Sequence, residues 1–240
     1  MRTLWIIAGM RRSGIHAVVN WIKAAIDTTG EPHVLLNNVR LSVLNSKDSN
    51  SIFSQGFASS DSANEHVLVV YEDKRLRRVG ESSLLRHIGA DEQKRIVVIR
   101  DPYNLTASRL QRTRRRHNRD TNPRRVAEMW PDHAKHDETW TRCVYNQWFR
   151  DQSCREQLAS EIGLPVCPPL PDRIARAGHG SSFDGVRYDG RVSEMPVLER
   201  WRTFAEDPEF QQYVNHPSLA SLSEEVCGFA NPLKEVAVDS

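Results

Sequence analysis

The sequence predicts an α/β domain of three layers, with a central parallel sheet of about four to five strands flanked by helices. Three observations carry that expectation. Short apolar runs alternate along the chain with segments of helical spacing. The apolar runs lack the in-out alternation of a half-exposed sheet, so both faces of the sheet must be covered. Several runs also end in glycine or charged residues, and ligands of parallel sheets sit at the carboxyl ends of strands.

The elements follow in order. "TLWIIAG" is a short apolar run closing on Gly9 and reads as a buried first strand. Ile15, Val18, Val19, Ile22 and Ile26 then recur at helical spacing, which predicts a helix from about Ser13 to Asp27. "HVLLNN" is the second strand, and the Ser-, Asn- and Asp-rich segment from Arg40 to Asn64 reads as a long loop. "HVLVVYE" and "RIVVIRD" are the clearest strands, with a short helix, "ESSLLRHIG", between them. A helix is expected from Pro102, since proline is well tolerated in a first turn. "WTRCVYNQW" is expected to form the last strand, and Ser153 to Ile162 a helix ended by Gly163 and Pro165. The proline cluster "GLPVCPPLP" then separates an α/β core, residues 1–165, from a more irregular region, 166–240, within one domain.

Composition narrows the class. Charged residues make up 27% and apolar residues 39% of the 240, ordinary values for a soluble globular protein. There is no apolar run long enough to span a membrane. The apolar piece Leu4 to Ala8 is too short for a signal-peptide core and runs into Gly9 and two arginines. Four cysteines, Cys143, Cys154, Cys167 and Cys227, form no C-x-x-C pair. They read as reduced thiols, neither a zinc site nor a disulfide framework, and a cytoplasmic location is expected.

The loop "GMRRSGIH" after the first strand carries the first chemical signal. Gly9 and Gly14 have the spacing of a triphosphate-binding loop, but Ile15 and His16 stand where lysine and a magnesium-binding hydroxyl would follow. A strand, a glycine turn and a helix N-terminus still make an anion site, to which Arg11 and Arg12 add full charges. A ligand with a single phosphate at this point fits better than ATP or GTP. A second basic site is read from "RIVVIRDPYNLTASRL", which sets Arg100 at a strand end and Ser108 on the following helix. The two could clasp another phosphate from two sides, and a structural Arg100–Asp101 pair is the plainer alternative.

The order of these motifs resembles the PAPS-dependent sulfotransferases, which transfer a sulfuryl group from 3′-phosphoadenosine 5′-phosphosulfate. "RRSGIH" is similar to their 5′-phosphosulfate loop, with Arg12, Ser13, Gly14 and His16 in matching places and Ile15 replacing the usual threonine. Arg100 and Ser108 match their 3′-phosphate motif in type and spacing. "REQLASEIGLP" is similar to a family helix ending in a leucine-glycine element, and "GSSFDGVRYDGRVSEMPVLERW" resembles the C-terminal cofactor loop. The resemblance implies a P-loop-like fold. It also implies that Gly9, Arg11, Arg12, Ser13, Gly14, Ile15 and His16 cradle the 5′-phosphosulfate, and that Arg100 and Ser108 hold the 3′-phosphate. Ser182, Phe183 and Gly185 would line the nucleotide.

Transfer to an alcohol needs a base, a cation facing the developing charge, and in-line placement. No metal is chemically required. Arg12 is the candidate cation, in the place where many relatives use lysine. The resemblance puts the base at or after the end of the strand between the phosphate motifs, making Glu72 the first choice and Asp73 the second. His16 is the rival, and a salt bridge is the alternative role for Glu72. The expected acceptor is a hydroxyl of a saccharide or glycolipid, which an acidic group would suit. That last point comes from eight arginines between Arg109 and Arg125, a block that suits an acidic partner or simply forms a solvated face. No nucleic-acid motif accompanies it. The competing readings are a P-loop kinase of a small molecule and a non-enzymatic arginine-rich module for polyanions or nucleic acid.

Overall fold

The computed structural model describes residues 1–38, 65–79, 88–116, 121–174 and 181–233. Five strands form one all-parallel sheet: β1 (Arg2–Gly9), β2 (His33–Asn37), β3 (Glu65–Glu72), β4 (Glu92–Ile99) and β5 (Thr141–Val144). Their order is β2-β3-β1-β4-β5. Seven α-helices are described: α1 (Ile15–Asp27), α2 (Pro102–Arg116), α3 (Arg124–Ala134), α4 (Tyr145–Arg150), α5 (Gln152–Glu161), α6 (Pro208–Val214) and α7 (Pro217–Cys227). The three-layer α/β expectation is met.

Alternation along the strands decides which helices cover which face. Leu4, Ile6 and Ala8 of β1, with Val67, Val69, Val97 and Ile99 of its neighbours, meet Val126 and Trp130 of α3 and Leu219 of α7. Trp5 and Ile7, with Leu68, Val70, Ile96 and Val98, meet Val18, Val19 and Ile22 of α1, Trp148 of α4 and Leu158 of α5. Strands buried on both faces explain why these runs carry no polar alternation. The region beyond residue 165 packs on the sheet-bearing part. Met195, Val197 and Leu198 join the α1 face, and Trp201, Phe204 and Phe210 close over Tyr103 and Leu110 of α2.

Differences from the sequence reading are local. α1 begins at Ile15, not Ser13, because Gly14 takes a left-handed conformation (φ 93°) at the cap. "WTRCVYNQW" is strand only to Val144. Tyr145, Trp148 and Phe149 then recur at i, i+3 and i+4, so burial of one stripe favours a helical turn over continued extension. α5 begins at Gln152, with the Asp151 carboxylate accepting from Ser153 N at 2.8 Å. The expected loop Arg40 to Asn64 and most of the "ESSLLRHIG" helix lie outside the described residues. Among the described residues no helix is long and apolar enough to cross a membrane.

β1 is central, and the chain places β3 on one side of it and β4 on the other. Gly9 pairs with Glu72 on one flank and with Val98 on the other. The crevice at such a switch point is where open parallel sheets take ligands.

Candidate functional site

The loop after β1 is shaped by two glycines. A Cβ on Gly9 would stand 3.0 Å from both Ser13 Oγ and Val98 O. A Cβ on Gly14 would lie 2.2 Å from the Tyr145 ring, and its φ of 93° independently disfavours any other residue. Arg12 is left-handed as well, at φ 76°. Such a conformation in a bulky residue costs roughly 1–2 kcal/mol and persists only where the surroundings impose it.

Those surroundings are specific. Arg11 N donates to Asp73 Oδ1 at 3.0 Å, and Arg109 Nη1 donates to Arg11 O at 3.2 Å. Arg100 Nη1 donates to Arg12 O at 3.1 Å. Two loop carbonyls are thus tied back toward α2 and β4. α1 has no side-chain cap and no acid in its first turn, so its N-terminus keeps a positive field for an anion.

Arg100, at the tip of β4, is 2% exposed. Asp101 does not pair with it. That carboxylate caps α2, accepting from Asn104 N at 2.7 Å and from Asn146 Nδ2 at 2.8 Å. Arg100 instead donates to Ser108 Oγ at 3.3 Å and to Val197 O, and its guanidinium lies over the Tyr145 ring. Arg200 converges on the same hydroxyl, its Nη1 3.4 Å from Ser108 Oγ. Its Nη2 donates to Ser181 Oγ at 2.8 Å and to Asp184 Oδ2 at 3.2 Å. Among the described residues, the buried Nε atoms of Arg100 and Arg200 have no hydrogen-bond partner. An orphaned charged donor in a protein interior is costly and calls for an acceptor.

The cations also perturb one another. Burial first, then the charges of Arg112 and Arg100, pull the Arg12 pKa down to about 10. Burial and then Arg100 pull Arg200 down to about 9, while Asp184 opposes. Burial lowers Arg100 too. Arg12 and Arg200 remain charged near neutrality, in a site whose electrostatics favour an incoming anion.

These groups border a cavity of about 420 Å³. Among the described residues, six arginines line it (Arg11, Arg12, Arg100, Arg112, Arg173 and Arg200) against one carboxylate, Glu72. Tyr145, Trp148 and Phe149 supply an aromatic wall, and Leu170, Pro171 and Ile174 an apolar one. A ligand with several negative charges and a flat apolar part would satisfy both linings.

Glu72 ends β3. Asn38, left-handed at φ 51°, accepts from Glu72 N at 2.9 Å and donates to Glu72 Oε2 at 3.1 Å. His16 Nε2 lies 3.5 Å from Glu72 Oε1, and Arg11 Nε 3.7 Å from Oε2. Burial pushes the Glu72 carboxyl up, but His16, Asn38 and Arg11 together outweigh it and hold the group below the usual carboxylate range. Glu72 is an ionised group bridging a histidine and a loop arginine. Asp73 is withdrawn from the contest for the base. Its side chain is 4% exposed and accepts from Arg109 Nη1 at 2.8 Å and Nη2 at 3.1 Å.

The structure therefore brings Arg11, Arg12, Gly14, Ile15, His16, Glu72 and Arg100 to one cavity. Gly9, Ser13 and Ser108 stand outside its lining, Gly9 and Ser13 shaping the loop and Ser108 joining two arginines. Ile15 presents its side chain to the α1-face core, so at this position the loop needs an apolar anchor rather than a hydroxyl. Ser182, Phe183 and Gly185 do not line the cavity, and Ser181 does. The reason is the tight turn closed by Ser181 and Gly185, which exchange two backbone hydrogen bonds. It sends Phe183 toward Phe204 and leaves Ser181 Oγ facing Arg200.

Sequence reasoning missed Arg200, Ser181, Asn38 and the aromatic wall. The helical spacing of Tyr145, Trp148 and Phe149 was the available signal for the wall; Ser181 and Arg200 fall inside the quoted C-terminal stretch, where nothing local singles them out. No family model matches the chain, and no curated protein or solved structure matches it.

Proposed function

We propose that the protein is a sulfotransferase that moves a sulfuryl group from 3′-phosphoadenosine 5′-phosphosulfate to a hydroxyl of a saccharide or glycolipid. The carrying observation is the joining of two basic motifs at one crevice. Arg12 and the α1 N-terminus lie beside Arg100, Ser108 and Arg200, where buried donors lack acceptors.

The donor supplies the sulfuryl group, whose bond to the nucleotide phosphate breaks as the acceptor oxygen bonds to sulfur. In this reading the loop amides and Arg12 face the 5′ side, where charge develops on the transferred group and leaving phosphate. Arg100 and Arg200 hold the 3′-phosphate, with their buried Nε atoms as its donors and Ser108 Oγ tying the two guanidinium groups together. Tyr145, Trp148 and Phe149 flank the base. The acceptor proton passes to the Glu72–His16 pair, with Asn38 fixing the carboxylate. Free cysteines at 143, 154, 167 and 227 fit the reducing cytoplasm proposed as its location.

Thermal stabilisation by 3′-phosphoadenosine 5′-phosphate, by 5′-AMP, and by ATP with Mg²⁺ tests the reading. A ligand at 100 times its dissociation constant adds about 2.7 kcal/mol, a clear shift. The bisphosphate is expected to stabilise most. Equal stabilisation by 5′-AMP removes the 3′-phosphate site, and a stronger effect of ATP with Mg²⁺ favours a kinase.

A further inference from the structure

A second cavity, of about 490 Å³, lies at the far edge of the sheet. β5 pairs with β4 on one side and, among the described residues, with no strand on the other. Its outer edge therefore presents backbone N–H and C=O groups that the sheet does not use. Arg142, Cys143 and Val144 of β5 line the cavity, walled by α5 from one face of the sheet and by α7 from the other. Cys143, Trp148, Leu158 and Val226 are buried and form its apolar floor, while Arg142, Gln147, Gln157 and Glu161 are exposed at its rim. An apolar floor with a few polar groups around it is the usual anatomy of a small-molecule site.

Charge separates this cavity from the first. Among the described residues its lining carries one permanent cation, Arg142, which makes no ion pair, and one carboxylate, Glu161. Gln157 Nε2 donates to Glu161 Oε1 at 2.8 Å and steadies that carboxylate. His136 also lines the cavity; its Nδ1 donates to His133 O at 3.0 Å, and burial lowers its pKa, so the ring is neutral near pH 7. A polyanion would find one arginine here where the first cavity offers six. A molecule with one negative group, one positive group and an apolar body matches the whole lining.

We propose that this second cavity binds an α-amino acid with an apolar side chain, and that the bound amino acid regulates the first cavity. Arg142 takes its carboxylate, Glu161 takes its ammonium, and the side chain lies on Cys143, Leu158 and Val226. Trp148 carries the effect, since among the described residues it alone lines both cavities. Its indole N–H is buried with no hydrogen-bond partner among those residues, so the wall between the cavities holds a donor in need of an acceptor. Its ring stacks on Tyr145, with centroids 5.7 Å apart. Tyr145 in turn lies under the Arg100 guanidinium and packs against Gly14. A shift of Trp148 thus reaches both anion-binding motifs through one further ring. The amino-acid site stands apart from the sulfotransferase reading, and only the regulation rests on it.

Calorimetric titration of L-leucine and L-phenylalanine into the full chain, Arg142→Gln and Glu161→Gln tests the site. At least one of the two is expected to bind the wild type with millimolar or better affinity, and each substitution of an exposed charge to weaken it about tenfold or more. Isocaproate, which lacks the ammonium, and isoamylamine, which lacks the carboxylate, should bind more weakly by a similar factor. No binding at millimolar concentration, equal affinity in the variants, or equal affinity for the single-charge analogues overturns the site. At an amino-acid concentration that saturates the wild type, its affinity for 3′-phosphoadenosine 5′-phosphate should change about fivefold or more, and less in the variants. An unchanged affinity overturns the regulation. If the amino acid binds through these two charges and the bisphosphate does not bind at all, the site holds and both the regulation and the proposed function fail.

Discussion

Arg109 and Asp73 form a two-pronged ion pair, 2.8 and 3.1 Å, in which the arginine side chain is fully buried and the aspartate nearly so. The pair grips the backbone of Arg11 at both polar groups: Asp73 accepts its N–H and Arg109 donates to its carbonyl. Arg109 Nε also holds Asn122 O, just ahead of α3. One buried pair therefore ties the phosphate-type loop, the end of β3 and the entry to α3 together.

Breaking that pair from one side leaves a buried charge without its partner. Arg109→Met is expected to lower stability by about 3–5 kcal/mol. Asp73→Asn combined with Arg109→Met should recover part of that loss, because no isolated charge remains. Denaturant unfolding of the two singles and the double measures the coupling, and simple additivity would rule out the clamp.

Gly14 is the position where the fold and the site constrain the same residue. Gly14→Ala must force a left-handed alanine and push the Tyr145 ring aside. The conformational part alone is worth about 1–2 kcal/mol. Combining it with Tyr145→Leu relieves the collision but not the backbone strain, so the double variant should regain only part of the stability. Thermal melts of both read this out directly.

Arg200 is expected to act on the 3′-phosphate and little else. Arg200→Gln should weaken 3′-phosphoadenosine 5′-phosphate by about tenfold or more, the scale of a charged hydrogen bond. Its effect on 5′-AMP should be much smaller. Equal losses for the two nucleotides, by calorimetry, would place Arg200 in general loop support instead.

Glu72 gives a pH signature with a defined sign. Its folded pKa lies below the unfolded value, so the ionised form is favoured in the native state. The stability it contributes is complete above the unfolded carboxyl pKa, about 4.3, and is lost as pH falls through the lower folded value. The stability gap between wild type and Glu72→Gln should thus be widest at neutral pH and shrink below about pH 4. The same variant, and His16→Ala, should nearly abolish transfer while keeping nucleotide affinity. Turnover at the wild-type rate in Glu72→Gln would take that carboxylate out of the chemistry.

Much of this was legible from local pattern. Apolar runs without alternation announced a sheet covered on both faces, and Ile15, Val18, Val19 and Ile22 announced the helix behind the loop. Gly9 and Gly14 marked the turn after β1, and Arg100 and Ser108, eight residues apart, meet at 3.3 Å, because both signals are local in the chain. Only the tertiary structure decided which charges are used up. Asp73 and Glu72 are neighbours in sequence with the same functional group, yet the left-handed turn at Asp73 sends one into Arg109 and leaves the other facing His16. Arg200 reaches Ser108 from 92 residues away. Long-range pairing of charges depends on where the chain returns, and periodicity, which reports only neighbours on one strand or helix, carries no record of it.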